Sequence, residues 1–442
     1  MKIKIKRNIK INIVHFAIII LLATILLSGQ TILIKGRDLK IELLFALTIV
    51  FASMKKVKLS TNNAIKYSMV FFLIWIIISV IYAYDKSLAI HSAIMYTCLI
   101  GLICFEYSDG IIDGFLKISS MYCFVVAISI LLSAFYHNLA IDLFRFWIFT
   151  PSVTASEIAA GQYSGLAGEK AEAAFLLNIG FALKVSDMMA YSNFSLKNIK
   201  NDVILIMYIL AMALTGKRML LVIPIVMICS LTLLSGVKNK FIKIFSIVSM
   251  GAMAFLVALY TIPSVSIIIE RIIEGRGDTT ISGRAIFWNF CKMMYRTKPL
   301  TGWGINSFNS YFADSGYKIA GGIWNYYAHS IYYEMLAEIG LIGIILFAIM
   351  VIVIYKQLWD IKKREKYCTQ KMLRYSYFAF YIVSMTLIYG ITGNVLYYFH
   401  QFAWFVLAGM LIIKVKKSIE VQKKKEINDG KAKQHIICNS SL

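Results

Sequence analysis

Two arginines and one histidine, far apart in the chain but each beside a turn, supply the cations and the base that a phosphate-leaving reaction needs. Arg218 follows Leu214-Thr215-Gly216-Lys217, Arg284 follows Ser282-Gly283, and His329 stands in Tyr326-Tyr327-Ala328-His329-Ser330. A guanidinium presents a planar fork of N–H donors that matches phosphate oxygens, so two of them suit two linked phosphates. An imidazole, with an ordinary pKa of about 6.5, is largely neutral at pH 7 and can accept a proton from a hydroxyl or orient one. Tyr333 and Glu334 lie one helical turn beyond His329, and Glu338 one turn beyond Glu334, so a hydrogen-bonded cluster is expected there.

Gly302-Trp303-Gly304, after Pro299-Leu300-Thr301, is either a sharp turn or an aromatic platform for a sugar ring. No Asp-x-Asp, Walker lysine loop, His-Glu-x-x-His or Gly-x-Ser-x-Gly occurs. The transferred group is therefore expected to arrive already activated, on a lipid, with no bound divalent cation and no cofactor.

The elements that must position these groups are membrane helices. Of the 442 residues 59% are hydrophobic and only 4 are proline, which no water-soluble domain of this length requires. At about 20 residues per crossing, the apolar runs predict an all-α polytopic protein with about twelve transmembrane helices, near 11–30, 39–54, 64–83, 88–105, 115–136, 168–187, 202–216, 218–236, 241–263, 328–355, 375–396 and 398–415. The expected organisation is helices one to nine over 1–263, a large extracytoplasmic loop over 264–327, helices ten to twelve over 328–418, and a disordered cytoplasmic tail over 419–442. Within the loop Ser282 is expected to cap an amphipathic helix from Gly283 to about Thr297, lying flat at the lipid headgroups and stopped by Pro299.

The formal charge of +23 sits mostly between spans rather than in a basic domain, which excludes a nucleic-acid-binding protein. With the N-terminus inside, about 31 of the 46 Lys and Arg fall on the cytoplasmic side and about 15 outside, so both termini are expected in the cytoplasm. In that orientation Glu42, His91, Glu169, Lys170, Glu172, Arg218, Glu334, Glu338 and His400 all map to outer helix ends. A Lys217-Arg218 pair on the outer side runs against the positive-inside tendency and calls for an anionic partner. Of the 7 cysteines only Cys291 is expected outside, and no Cys-x-x-Cys pair occurs, so neither a disulfide framework nor a zinc site is supported.

In order, Leu214-Thr215-Gly216-Lys217-Arg218, Ser282-Gly283-Arg284 with Phe287-Trp288, Pro299-Leu300-Thr301-Gly302-Trp303-Gly304 with Phe308, and His329-Ser330-Ile331-Tyr332-Tyr333-Glu334 running into Glu338-Ile339-Gly340-Leu341-Ile342-Gly343 resemble the O-antigen ligase and O-antigen polymerase family of bacterial inner-membrane glycosyltransferases. The resemblance is concentrated in residues 200–350. It implies a metal-independent enzyme of the bacterial cytoplasmic membrane, with its site on the outer face, that takes oligosaccharide from undecaprenyl diphosphate. The acceptor is lipid A-core in the ligase branch and another lipid-linked repeat unit in the polymerase branch, here the favoured one.

By position, Arg218 and Arg284 resemble the diphosphate-binding arginines, and His329 the histidine that orients or deprotonates the acceptor. Lys217, Glu169, Lys170, Trp303, Tyr326 and Glu334 complete the expected substrate-binding set. Two departures stand out: Lys217 where the family often has Ser, and Ser330 where it often has Asn. Other expected partners are membrane lipids and proteins of polysaccharide assembly. The alternative class is a transporter or flippase of lipid-linked oligosaccharide, but its internal repeats and midplane charges are not evident in the sequence.

Overall fold

The apolar runs fold into long helices in a computed structural model, which describes residues 33–34, 37–38, 63–144, 161–191, 199–234, 279–316 and 327–439. The helices are α1 (Ala64–Ile81), α2 (Lys86–Gly101), α3 (Asp109–Phe135), α4 (His137–Phe144), α5 (Lys170–Ala190), α6 (Ile199–Leu214), α7 (Arg218–Leu234), α8 (Thr279–Thr297), α9 (Phe308–Asp314), α10 (Ile331–Lys363), α11 (Gln370–Tyr389) and α12 (Phe399–Asn439). The strands among the described residues are two-residue pieces, β1 (Leu33–Ile34) and β2 (Arg37–Asp38), paired antiparallel.

Among the described residues five helical segments are long and apolar enough to cross a membrane: Ala64–Ile81, Lys86–Cys104, Asp109–Phe135, Lys170–Ala190 and Ile331–Lys363. Asn201–Leu214 and Arg218–Leu234 are shorter apolar helices. The expected spans at 11–30, 39–54 and 241–263 lie outside the described residues, as do Glu42 and Tyr326.

Side-chain oxygens start the helices that frame the site. Asn63 caps α1, Asp85 caps α2 and Glu169 caps α5, each accepting from first-turn N–H groups. Helix α5 is apolar on all sides from Ala173 to Leu183 apart from Asn178, and it is enclosed by α3, α6, α7 and α11. Pro224 in α7 lacks an N–H, which orphans the carbonyl of Leu220 four residues earlier. Asn178 repairs this: its Nδ2 donates to Leu220 O at 2.9 Å, while Tyr381 Oη donates to its Oδ1 at 3.0 Å.

At the helix ends remote from His329, ion pairs hold the bundle together. Lys371 reaches Asp109 at 3.1 Å and Asp113 at 2.5 Å, Lys414 meets Asp109, Lys417 meets Glu106, and Arg374 meets Asp187.

Helix α10 is broken at Gly340, whose φ of 65° and ψ of −168° interrupt the ladder. The break would strand backbone groups inside the membrane, where unpaired N–H and C=O are costly. The Pro299–Gly304 segment takes them up. Trp303 and Gly304 N–H donate to Ala337 and Glu338 O at 3.0 and 2.7 Å, while Leu341 and Ile342 N–H donate to Pro299 and Leu300 O at 2.9 and 3.2 Å. The two backbones meet at two glycines with positive φ. A Cβ on Gly302 would lie 2.4 Å from Glu338 C, and one on Gly340 would lie 2.4 Å from Leu300 O.

The Glu338 carboxylate completes the joint, accepting from Asn306 N–H and Phe308 N–H, each at 2.8 Å, and from Tyr397 Oη at 2.7 Å. Gly340→Ala is expected to lower the melting temperature in detergent sharply or prevent accumulation, because both the left-handed backbone and the closed gap resist a side chain. Gly316→Ala, also at positive φ but with nothing within 4 Å of the added Cβ, is the control. Equal thermal stability of Gly340→Ala and wild type would overturn this account of the joint.

Three local expectations are corrected. Helix α8 begins at Thr279, so Ser282 is inside it rather than its cap. Its apolar stripe faces protein rather than headgroups: Phe287, Phe290, Cys291 and Met294 pack with Phe308, Phe312 and Ala337. The tail expected to be disordered continues α12 through Asn439, its Lys and Glu being good helix formers at helical spacing.

Candidate functional site

His329 occupies a left-handed backbone conformation, φ 52°, which costs a non-glycine residue on the order of 1–3 kcal/mol and must be held by its neighbours. The preceding peptide is clamped on both sides. Ala328 N–H donates to Glu334 Oε2 at 3.2 Å, and Ala328 O accepts from Trp288 Nε1 at 2.9 Å. On the following side Ile331 N–H donates to Gly390 O at 2.9 Å, tying the histidine to the α11–α12 turn. The imidazole meets the Phe287 ring at 6.2 Å, and neither ring nitrogen has a hydrogen-bond partner among the described residues.

The cations arrive from two other elements. Gly216, φ 71°, reverses the chain between α6 and α7, and a Cβ there would lie 2.7 Å from Gln162 Nε2. The packed 162–169 segment sets out its polar groups around this turn. Tyr163 N–H donates to Leu214 O at 2.9 Å, Lys170 donates to Gln162 at 3.0 Å, and Glu169 lies 3.9 Å from Lys217 Nζ. Arg284 comes from α8, the helix whose Trp288 clamps Ala328.

Arg284, Lys217 and His329 interact electrostatically. Desolvation, then the Arg284 and Lys217 charges, push the His329 imidazole down to about 4. Desolvation also lowers Lys217, opposed by Glu169 and reinforced by Lys170 and Arg284. His329 and Lys217 are nonetheless reachable by water. Neither Arg284, half-buried, nor Arg218, exposed at the first position of α7, has an ion pair or hydrogen bond among the described residues. Of the Lys217-Arg218 pair, it is Lys217 whose charge reaches His329 and Arg284.

The α11–α12 turn adjoins the His329 segment. Tyr398 packs against Tyr327 at 5.7 Å and against the His400 ring at 6.0 Å. His400 Nε2 contacts Glu172 Oε2, and Gln401 Nε2 donates to the same oxygen at 3.4 Å, all three residues being buried. Asn394, in the same turn, is buried with neither amide atom paired.

Two expected ligand groups are engaged within the protein. Trp303 donates its indole N–H to Met294 O and Thr297 Oγ1 at 3.1 and 2.9 Å, and Lys298 Nζ sits 3.9 Å over its ring. Glu334 holds the Ala328 peptide from a buried position. Tyr398 and Glu338 are functional neighbours that motif reading did not assign, because each acquires its role through a partner distant in sequence. Among the described residues no group of three or more His, Cys, Asp or Glu could hold a metal ion.

Five apolar helices of membrane-spanning length among the described residues, with cations and an unpaired imidazole at one set of helix ends, are those of a polytopic membrane protein. Comparison with known families carries this further: residues 203–348 match Wzy_C, described as O-antigen ligase. That family comprises membrane enzymes of the O-antigen ligase and polymerase type in surface-polysaccharide assembly, acting on lipid-linked glycans. The matched segment contains Lys217, Arg218, Arg284 and His329. No curated protein matches the chain.

Proposed function

We propose that the protein is a metal-independent glycosyltransferase that uses undecaprenyl-diphosphate-linked oligosaccharide at the outer face of the bacterial cytoplasmic membrane, as a polymerase of lipid-linked repeat units. The carrying observation is a solvent-reachable His329 with no hydrogen-bond partner among the described residues, under the electrostatic influence of Lys217 and Arg284, inside the segment that matches the O-antigen ligase family. In the reaction the acceptor hydroxyl oxygen bonds to the anomeric carbon as the carbon–oxygen bond to the phosphate breaks. The electron pair leaves on the phosphate oxygen. Arg284 and Lys217, with Arg218 beside them on the turn, stabilise charge that grows only as that bond breaks, so they lower the barrier rather than merely bind the ground state. His329 accepts the hydroxyl proton and later releases it to water.

The outer-face assignment rests on charge. The remote helix ends carry Lys362, Lys363, Arg364, Lys366, Lys371, Arg374, Lys414, Lys416 and Lys417, and positive residues favour the cytoplasm. The test is reconstitution of the full chain in liposomes with lipid-linked repeat units purified from cells lacking the protein. Release of undecaprenyl diphosphate with a ladder of longer glycans is expected. Intact single-repeat donor moved across the bilayer would instead make the protein a transporter. In cells, deletion is expected to leave single-repeat surface glycan. Accumulation of long carrier-linked polymer would assign the ligase branch.

A further inference from the structure

Resting on the glycosyl-transfer reading above, we propose that Tyr398 and Tyr327 form the sugar-binding platform of this site, stacking a pyranose ring beside the Glu169–Lys217 pair. Trp303, the aromatic residue that the sequence offers for this purpose, has its indole N–H committed and its ring capped by Lys298. Tyr398 is free in the way Trp303 is not: 38% of it is exposed, and no hydrogen bond engages its hydroxyl among the described residues. Tyr327 lies two residues before His329 and is half-buried, so the platform adjoins the base.

The charges around it match the two ends of the expected donor. Glu169 and Glu334 both act on Tyr398, and Glu169 also faces Lys217 at 3.9 Å. Tyr389, at the end of α11, is within electrostatic range of both Glu169 and Arg284. A pyranose has a C–H face that packs on an aromatic ring and rim hydroxyls that donate to carboxylates, whereas a diphosphate is repelled by Glu169 and drawn to Arg284 and Lys217. The Tyr398 ring is also supported from behind. His400 packs on it at 6.0 Å and is itself fixed by Glu172, a buried arrangement that an aromatic residue serving only as an interfacial anchor does not need.

Two probes separate the two ends of the site in the full-length protein in nanodiscs: inorganic pyrophosphate, and the free oligosaccharide released from the purified lipid-linked donor. Tyr398→Ala is expected to weaken oligosaccharide binding about five- to tenfold and to leave pyrophosphate binding within twofold of wild type, with Tyr398→Phe restoring most of the loss. Tyr327→Leu, at a separate position on the platform, should reproduce the selective loss. Unchanged oligosaccharide binding in both Tyr398→Ala and Tyr327→Leu, or equal loss for both probes, overturns the platform. So does failure of Tyr398→Phe to restore binding. Transfer activity of the wild type on the purified donor is read in parallel. If the wild type makes product while the tyrosine variants bind sugar normally, only the platform falls. If the wild type makes no product, the glycosyl-transfer reading falls and takes the platform with it.

Discussion

Arg284→Ala is expected to reduce transfer by a factor of about 10²–10³ at saturating donor, while the protein inserts and melts as wild type does. The separation of activity from stability follows from the surroundings of the side chain. Arg284 has no ion pair or hydrogen bond among the described residues, so its removal strands no buried carboxylate. What it does supply is positive charge at Lys217 and His329, available for an anion that binds there. Arg284→Lys keeps the charge but loses the fork, and should recover only part of the rate.

Lys217→Ala should cost less than Arg284→Ala, because Glu169 at 3.9 Å already offsets part of the ammonium charge. Comparing Lys217→Ala with Arg218→Ala then shows which side of the turn provides the second cation. The electrostatics favour Lys217, whose charge acts on the imidazole. Purified variants assayed for release of the carrier diphosphate decide the matter. Near-normal release by Arg284→Ala would remove the site from this part of the molecule.

The sequence exposes groups that need no partner to be recognised. Hydrophobic length finds α1, α2, α3, α5 and α10, and Pro299 ends α8 where expected because a proline ring cannot continue a helix. Arg284 and His329 stand out for a similar reason: charge and imidazole beside an apolar span are expensive wherever they occur. What the sequence conceals is pairing. Nothing local says that Gly302 and Gly340, 38 residues apart by number, must touch, or that Glu338 should spend its carboxylate on the backbone of Asn306 and Phe308. Gly302 reads as part of a turn and Gly340 as a position within an apolar span, whereas they are the two halves of one backbone contact.

Trp303 misleads by the same logic. An indole between glycines looks presented to a ligand until Lys298 and Met294 are seen to occupy it. Lys217 and Arg218 differ by one position in sequence, yet around a turn with φ 71° at Gly216 that position decides which charge faces His329.

The second large effect is expected at His329, where alanine should lower the turnover rate by about 10²–10⁴ and abolish one limb of the pH profile. The sign of that limb follows from the environment. Desolvation by the protein around it, then the Arg284 and Lys217 charges, disfavour the protonated ring and bring it to about 4 even though water reaches the side chain, so the imidazole is mainly neutral at pH 7. The second-order rate constant, kcat/KM, reports the free enzyme. It should therefore stay level on acidification to about pH 5 and fall with a midpoint near 4, instead of near the 6.5 of an unperturbed histidine.

A base that weak gains little from a hydroxyl alone, and the donor changes this. A diphosphate beside Arg284 and Lys217 offsets the two charges that add to desolvation in holding the imidazole down, and leaves desolvation, the largest influence, in place. The proton affinity of His329 then rises when the leaving group is in place. The acid limb of kcat, which reports the donor complex, should accordingly lie above that of kcat/KM. Lys217→Gln should move the kcat/KM midpoint upward, because it removes one of the cations responsible. A kcat/KM midpoint at or above 6.5 in the wild type, or an acid limb that survives in His329→Ala, would show that another group accepts the proton. The coupling also gives a physical reason for a lysine before Arg218: a second cation acting on the imidazole adds to its desolvation in weakening the base, and a bound diphosphate offsets that added part.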